Sequence, residues 1–175
     1  KYIDADEYLF FLGNTDPKKN TPRVLKAYSD YLKRSQKKLP LLIADLKEDA
    51  IDRLLGEETI TDIKGYLRFP GYIANTDLPA LYSGAFAFLY PSLRESFGIP
   101  MLEAMACGTP VIAGNTSAMP EIAGEGALLA DRRFFSWKEM RNFTGNKRTA
   151  EWSAANCSHG RTVRKHCSIF IGIWR

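Results

Sequence analysis

The chain has 175 residues, 45% of them hydrophobic, with 24 Lys and Arg against 20 Asp and Glu. That size suits one domain, or one domain with an appendage, and the apolar share is enough for a packed core. No apolar run approaches the ~20 residues of a membrane span. The charged start Lys1-Tyr2-Ile3-Asp4-Ala5-Asp6-Glu7 has no apolar signal core, and three cysteines make no disulfide framework in a chain this long. These features point to a cytoplasmic protein.

The net charge of +4 is unevenly spread. Up to Asp131 there are 14 Lys and Arg against 18 Asp and Glu, and from Arg132 onward 10 against 2. All eight tyrosines precede Asp131, whereas all three tryptophans and both histidines follow it. The expectation is therefore a folded domain over 1–131 and an atypical basic tail over 132–175.

Within 1–131, short apolar runs alternate with amphipathic stretches of helical length, the pattern of a parallel sheet built from strand-helix units. A first strand is expected over 8–12, stopping at Gly13. After the loop 14–20, Thr21-Pro22 reads as an N-cap with proline at the first helical position. Val24, Leu25, Tyr28, Tyr31 and Leu32 then recur at helical spacing. A second strand over 41–44, a helix over 49–55 and a third strand over 66–69 follow, closed by the Pro70-Gly71 turn. A short helix over 77–83 leads to a strand over 86–90. The loop 91–98 enters a helix near Ile99-Pro100 that closes at Gly108. Strands over 110–113 and 127–129 flank a short helix over 118–123. The expected fold is a doubly wound α/β sheet, Rossmann-like, whose ligands sit in the crevice at the carboxyl ends of the strands.

The richest segment is 91–113. A loop with Gly98 runs straight into a helix N-terminus, where unpaired amides and the helix dipole favour an anion. Gly98 allows close approach of a ligand to the backbone. Glu95 in the loop and Glu103 about one turn into the helix could flank one ligand, accepting hydrogen bonds from sugar and ribose hydroxyls. Without context, two such glutamates are more often a solvated loop acid and a surface helix residue.

The context is a glutamate, Phe97-Gly98-Ile99-Pro100, a second glutamate eight residues after the first, and Ala104-Met105-Ala106-Cys107-Gly108-Thr109-Pro110-Val111-Ile112-Ala113. This run resembles the donor-site signature of the group 1 (family four) glycosyltransferases, and the resemblance extends over about residues 8 to 131. It implies the GT-B fold, two Rossmann-like domains with the active site between them, and retaining transfer from a nucleotide-diphosphate sugar. This chain would be the C-terminal donor-binding half. By the same resemblance, Glu103 would bind the ribose hydroxyls. Glu95 would contact the transferred sugar and stabilise its cation-like transition state, as the catalytic residue. The backbone of Phe97, Gly98 and Ile99 would touch sugar and diphosphate.

Lys19-Asn20 matches the family's phosphate-binding lysine in the loop Gly13 to Asn20, where a cation offsets charge on the leaving diphosphate. Taken alone, the pair Lys18-Lys19 would be a solvated surface. Gly13 and Asn14 belong to the same candidate site. Many family members carry an arginine just after the loop glycine, and here Asn14 and Thr15 stand instead, so Lys18 could partly substitute. Gly71, Tyr72 and Ile73 resemble the family loop that packs against the base. Pro120-Glu121 reads as a helix start.

No cofactor and no metal are expected, the donor being a UDP-, GDP- or ADP-sugar. Residues 1–131 hold no histidine and one cysteine, Cys107, expected to be a buried small residue on an apolar helix face. Cys157, His159, His166 and Cys167 match no standard zinc finger spacing. The basic tail is not read as a nucleic-acid site. Two departures from the family are expected to matter. With no acceptor domain expected ahead of Lys1, the chain should bind a donor but transfer negligibly, and membrane contact would come only through that missing half. The family pattern also breaks after Asp131, where Phe135-Ser136-Trp137-Lys138-Glu139-Met140 looks like a closing helix arriving early and a frame change would explain the altered residue usage. Two rival readings stay open. A sugar-nucleotide epimerase half would want a histidine in the α/β part. A non-catalytic nucleotide-binding or receiver-like module would want an acidic cluster, of which Asp45 alone is weak support.

Overall fold

The computed structural model describes residues 1–55 and 63–131. Their strands are β1 Leu9–Leu12, β2 Leu41–Ala44, β3 Leu67–Arg68, β4 Ala87–Tyr90, β5 Val111–Gly114 and β6 Leu128–Ala130. They form one parallel sheet in the order β3-β2-β1-β4-β5-β6. The helices are α1 Thr21–Arg34, α2 Glu48–Leu54, α3 Leu78–Gly84, α4 Ile99–Ala106 and α5 Met119–Ala123. This is the doubly wound, Rossmann-like α/β sheet expected from the apolar runs.

The strands are near-continuous apolar runs because both faces of the sheet are covered. Leu9, Phe11, Leu41, Ile43, Ala87, Leu89 and Ile112 share one core with Val24, Leu25, Tyr28, Tyr31 and Leu32 of α1 and Ala50 and Ile51 of α2. The alternate residues Phe10, Leu42, Ala44, Phe88, Tyr90, Val111 and Ala113 share the other with α3, α4 and α5. The period of two along each strand thus sorts side chains into the two cores. Each buried strand Leu or Phe stabilises the fold by about 1.5–3 kcal/mol relative to exposure.

Two elements differ from expectation for local reasons. Thr21 is the first residue of α1, not its cap; Asn20 takes the cap position with φ 59 and ψ 28. The Thr21 hydroxyl is drawn instead to the Asn14 carbonyl, to which it donates at 2.6 Å. The edge strand β3 is shorter than expected because Lys64–Tyr66 is a 3-10 turn, closed by the Tyr66 amide on the Ile63 carbonyl at 2.9 Å. Cys107 is half-buried, packed at the rim of the second core.

The order of the strands fixes where a ligand would sit. The chain steps outward from β1 to β2 and β3, then returns to place β4 on the other side of β1. The loops leaving β1 and β4 therefore depart in opposite directions, and a crevice opens between them at the carboxyl edge. The closing-helix and zinc readings for the segment after Asp131 concern residues outside those described.

Candidate functional site

The loop from β1 to α1 is organised by its own short polar side chains. Asn14 Oδ1 accepts from the Asp16 amide at 2.9 Å, and Asp16 Oδ1 from the Lys18 amide at 2.9 Å. Asp16 thereby caps the 3-10 turn Pro17–Lys19. Asn14 therefore serves to shape the loop. Gly13 donates its amide to the Ala44 carbonyl at 3.2 Å. A Cβ there would lie 2.0 Å from the Phe11 ring, so glycine is demanded by packing. Lys18 pairs with Asp16 at 3.2 Å and is half exposed. Lys19 is different: it points across the crevice and is 17% exposed.

There Lys19 Nζ meets Glu95 Oε1 at 2.9 Å, joining two loops that are 76 residues apart in the chain. Asn20 Nδ2 donates to the Pro91 carbonyl at 3.2 Å and the Leu93 amide to the Lys18 carbonyl at 2.7 Å, which lock the same two loops together. A third loop, after β5, holds the Glu95 backbone. Ser117 Oγ donates to the Glu95 carbonyl at 2.7 Å and receives its amide at 3.4 Å. Burial tends to raise the Glu95 pKa, but the Lys19 ammonium, with Ser92 and Tyr90, outweighs it and holds the carboxyl below the ordinary value.

Gly98 caps α4 with φ 77, a left-handed conformation, and an added Cβ would lie 2.9 Å from Met119 Cε. The Gly98 carbonyl accepts from the Met101 and Leu102 amides at 3.0 and 3.3 Å, the first intrahelical bonds of α4. One turn in, Glu103 accepts from the Tyr82 hydroxyl at 3.1 Å. Burial raises the Glu103 pKa, with the Tyr82 hydrogen bond pulling the other way. Thr109 Oγ1 in turn donates to the Tyr82 carbonyl at 2.6 Å, tying α3 to the connection between α4 and β5.

The loop after β3 carries Gly71, at φ 71, and Tyr72, which is 79% exposed, while the Ile73 side chain is buried in the second core. Ile73 can therefore meet a ligand only through its backbone. The exposed large hydrophobics among the described residues are Tyr72, Phe97 and Ile99, and all three stand on loops or a helix start at the carboxyl edge. Apolar side chains kept in water at the same edge as a partly buried ion pair are what a site for an amphiphilic ligand presents. Sequence reasoning missed Tyr82, Tyr90 and Ser117, and read Asn20 only as part of the lysine motif, because their roles depend on contacts distant in the chain. Among the described residues, no group of three or more His, Cys, Asp or Glu side chains is placed to hold a metal ion.

The family profile described as glycosyl transferases group 1 matches residues 3–141. The chain belongs to that family. The match runs past Asp131, so the likeness continues into the segment that charge sets apart. An Escherichia coli relative, O-antigen chain mannosyltransferase B, is 32% identical over 168 residues, covering 86% of this chain and 43% of that protein. The chain thus spans less than half the length of that curated relative. The C-terminal domain of a glycosyl transferase group 1 family protein from Francisella tularensis has the same fold, with a TM-score of 0.71 at 20% identity over 88% of this chain and 85% of that one. An Anabaena protein, HepE, solved with UDP, gives a TM-score of 0.70 at 20% identity over 96% of this chain and 48% of that one. Membership of this family removes the receiver-like and epimerase readings.

Proposed function

We propose that this domain binds a nucleotide-diphosphate sugar in the crevice between the β1 and β4 loops and presents it for retaining transfer, without a bound metal. The observation that carries the reading is the Lys19–Glu95 pair at 2.9 Å across the point where strand order reverses. A cation and a carboxylate there suit the two ends of such a donor. Lys19 and the first turn of α4 would meet the diphosphate, Glu95 the sugar, and Glu103 the ribose. Phe97, Gly98 and Ile99 would flank sugar and diphosphate, and Gly71, Tyr72 and Ile73 the base. The sugar we propose is mannose, from the names of the E. coli mannosyltransferase relatives.

A carboxylate beside the anomeric carbon matters most when positive charge develops there, so Glu95 is assigned to the transition state more than to binding. Positioning an acceptor hydroxyl against that carbon is the task of a second, acceptor-binding half, and this domain alone would transfer sugar negligibly. Titration calorimetry with UDP, GDP and ADP in the presence of a chelator tests the reading. Saturable binding of at least one of them, weakened in Lys19→Ala, is expected; no binding to any of the three would refute it.

A further inference from the structure

The buried tyrosines of this domain are almost all satisfied. Tyr8 donates to the Leu81 carbonyl at 2.7 Å, Tyr28 to the Leu39 carbonyl at 2.7 Å, and Tyr82 to Glu103. Tyr90 is the exception. It is the last residue of β4, 1% exposed, and its hydroxyl makes no well-formed hydrogen bond among the described residues. A buried hydroxyl without a partner is a cost that folded proteins seldom keep unless it has a use.

Its surroundings suggest the use. The Lys19 ammonium sits 5.5 Å from the Tyr90 ring centroid while it holds Glu95 at 2.9 Å. Glu95 and Ser92 lie near enough to act on the Tyr90 hydroxyl, yet neither completes a bond of ordinary geometry with it. The ring is fixed by stacking on Phe88, with centroids 5.7 Å apart and planes inclined at 23°. The ring is thus packed by Phe88 independently of Lys19. Burial first, and the Glu95 charge second, suppress ionisation of the phenol, so it remains a proton donor.

Resting on the donor-site reading above, we propose that Tyr90 is a positioning residue that takes over Glu95 when a diphosphate draws Lys19 away. The Lys19–Glu95 pair is then a latch of the ligand-free domain. A diphosphate oxygen competes for the ammonium, and the freed carboxylate gains a buried donor that has no hydrogen bond of ordinary geometry among the described residues. Glu95 stays in place for the sugar instead of swinging into solvent. The ligand-free protein gains no hydrogen bond of ordinary geometry from the hydroxyl, whereas the diphosphate complex does.

The test compares Tyr90→Phe with the parent chain, measuring unfolding of the ligand-free protein and calorimetric affinity for UDP, GDP and ADP beside uridine, guanosine and adenosine. We expect no loss of ligand-free stability, a roughly tenfold loss of diphosphate affinity, and less than about twofold change for the matching nucleoside, which does not engage Lys19. In a Lys19→Ala background, Glu95 is never latched, so adding Tyr90→Phe is expected to change diphosphate affinity by less than about twofold. Equal loss for nucleoside and diphosphate, a lower ligand-free stability, or unchanged diphosphate affinity would overturn the proposal while leaving the donor site standing. Absence of diphosphate binding by the parent would overturn both.

Discussion

Lys19 and Glu95, 76 residues apart in sequence, face each other at 2.9 Å with each side chain 17% exposed. The pair closes the crevice that the strand order opens between β1 and β4. Its low exposure sets it apart from the solvated pairs elsewhere on the domain, such as Arg53–Asp49 at 3.5 Å, which stabilise little.

Lys19→Ala is expected to weaken a nucleoside diphosphate by about 1.5–3 kcal/mol, the range for a hydrogen bond to a charged group. The bare nucleoside should be affected far less, because the lysine meets phosphate and not base. Parallel calorimetry with the two ligands checks this. Equal losses would move the lysine away from the diphosphate.

Glu103→Ala is expected to weaken nucleoside and diphosphate together, by about 1–3 kcal/mol, through loss of charge-assisted bonds to ribose hydroxyls. The pH dependence follows from burial, which raises the Glu103 pKa above its ordinary value of 4.5. A raised carboxyl favours the neutral form, so its contribution to ligand-free stability is present below 4.5 and is lost as pH rises through the folded value. Nucleoside binding needs the carboxylate and moves the opposite way, strengthening over that same window. Glu103→Gln should flatten the affinity profile.

Gly98→Ala is expected to destabilise the domain by about 1–2 kcal/mol from the left-handed backbone alone. The added Cβ also forces Met119 aside from 2.9 Å. Urea unfolding should show a lower midpoint at unchanged slope. An unchanged midpoint would mean that the α4 cap is not held in this conformation.

In an enzyme carrying this domain together with an acceptor-binding half, Glu95→Gln is expected to lower kcat by at least tenfold while donor affinity falls less. The substitution keeps the shape and removes the charge that faces the sugar. Steady-state kinetics beside direct donor binding separate the two effects. A change confined to KM would make Glu95 a binding residue.

The strands were legible because both faces of the sheet are buried, so β1, β2, β4 and β5 each appear as an apolar run bounded by glycine, proline or charge. Helix α1 was legible from the spacing of Val24, Leu25, Tyr28, Tyr31 and Leu32, and the glutamates from the segment around Gly98. What escaped were features settled by distant partners. The identity of the α1 cap depends on the Asn14 carbonyl claiming the Thr21 hydroxyl. The alignment of Glu103 depends on Tyr82 in a different helix, and that of Glu95 on Ser117 beyond β5. Lys18 and Lys19 are alike in sequence, and only the fold sends one to Asp16 and the other to Glu95.

The central claim is that the crevice between the β1 and β4 loops takes a nucleotide-diphosphate sugar. Backbone amide NMR of the 175-residue chain, titrated with UDP, GDP and ADP, tests it residue by residue. The account predicts saturable shifts at Lys19 and Asn20, at Glu95 and Gly98, and at Gly71 and Tyr72, from whichever diphosphate binds. Shifts confined to other surfaces, or no shift with any of the three, would contradict it.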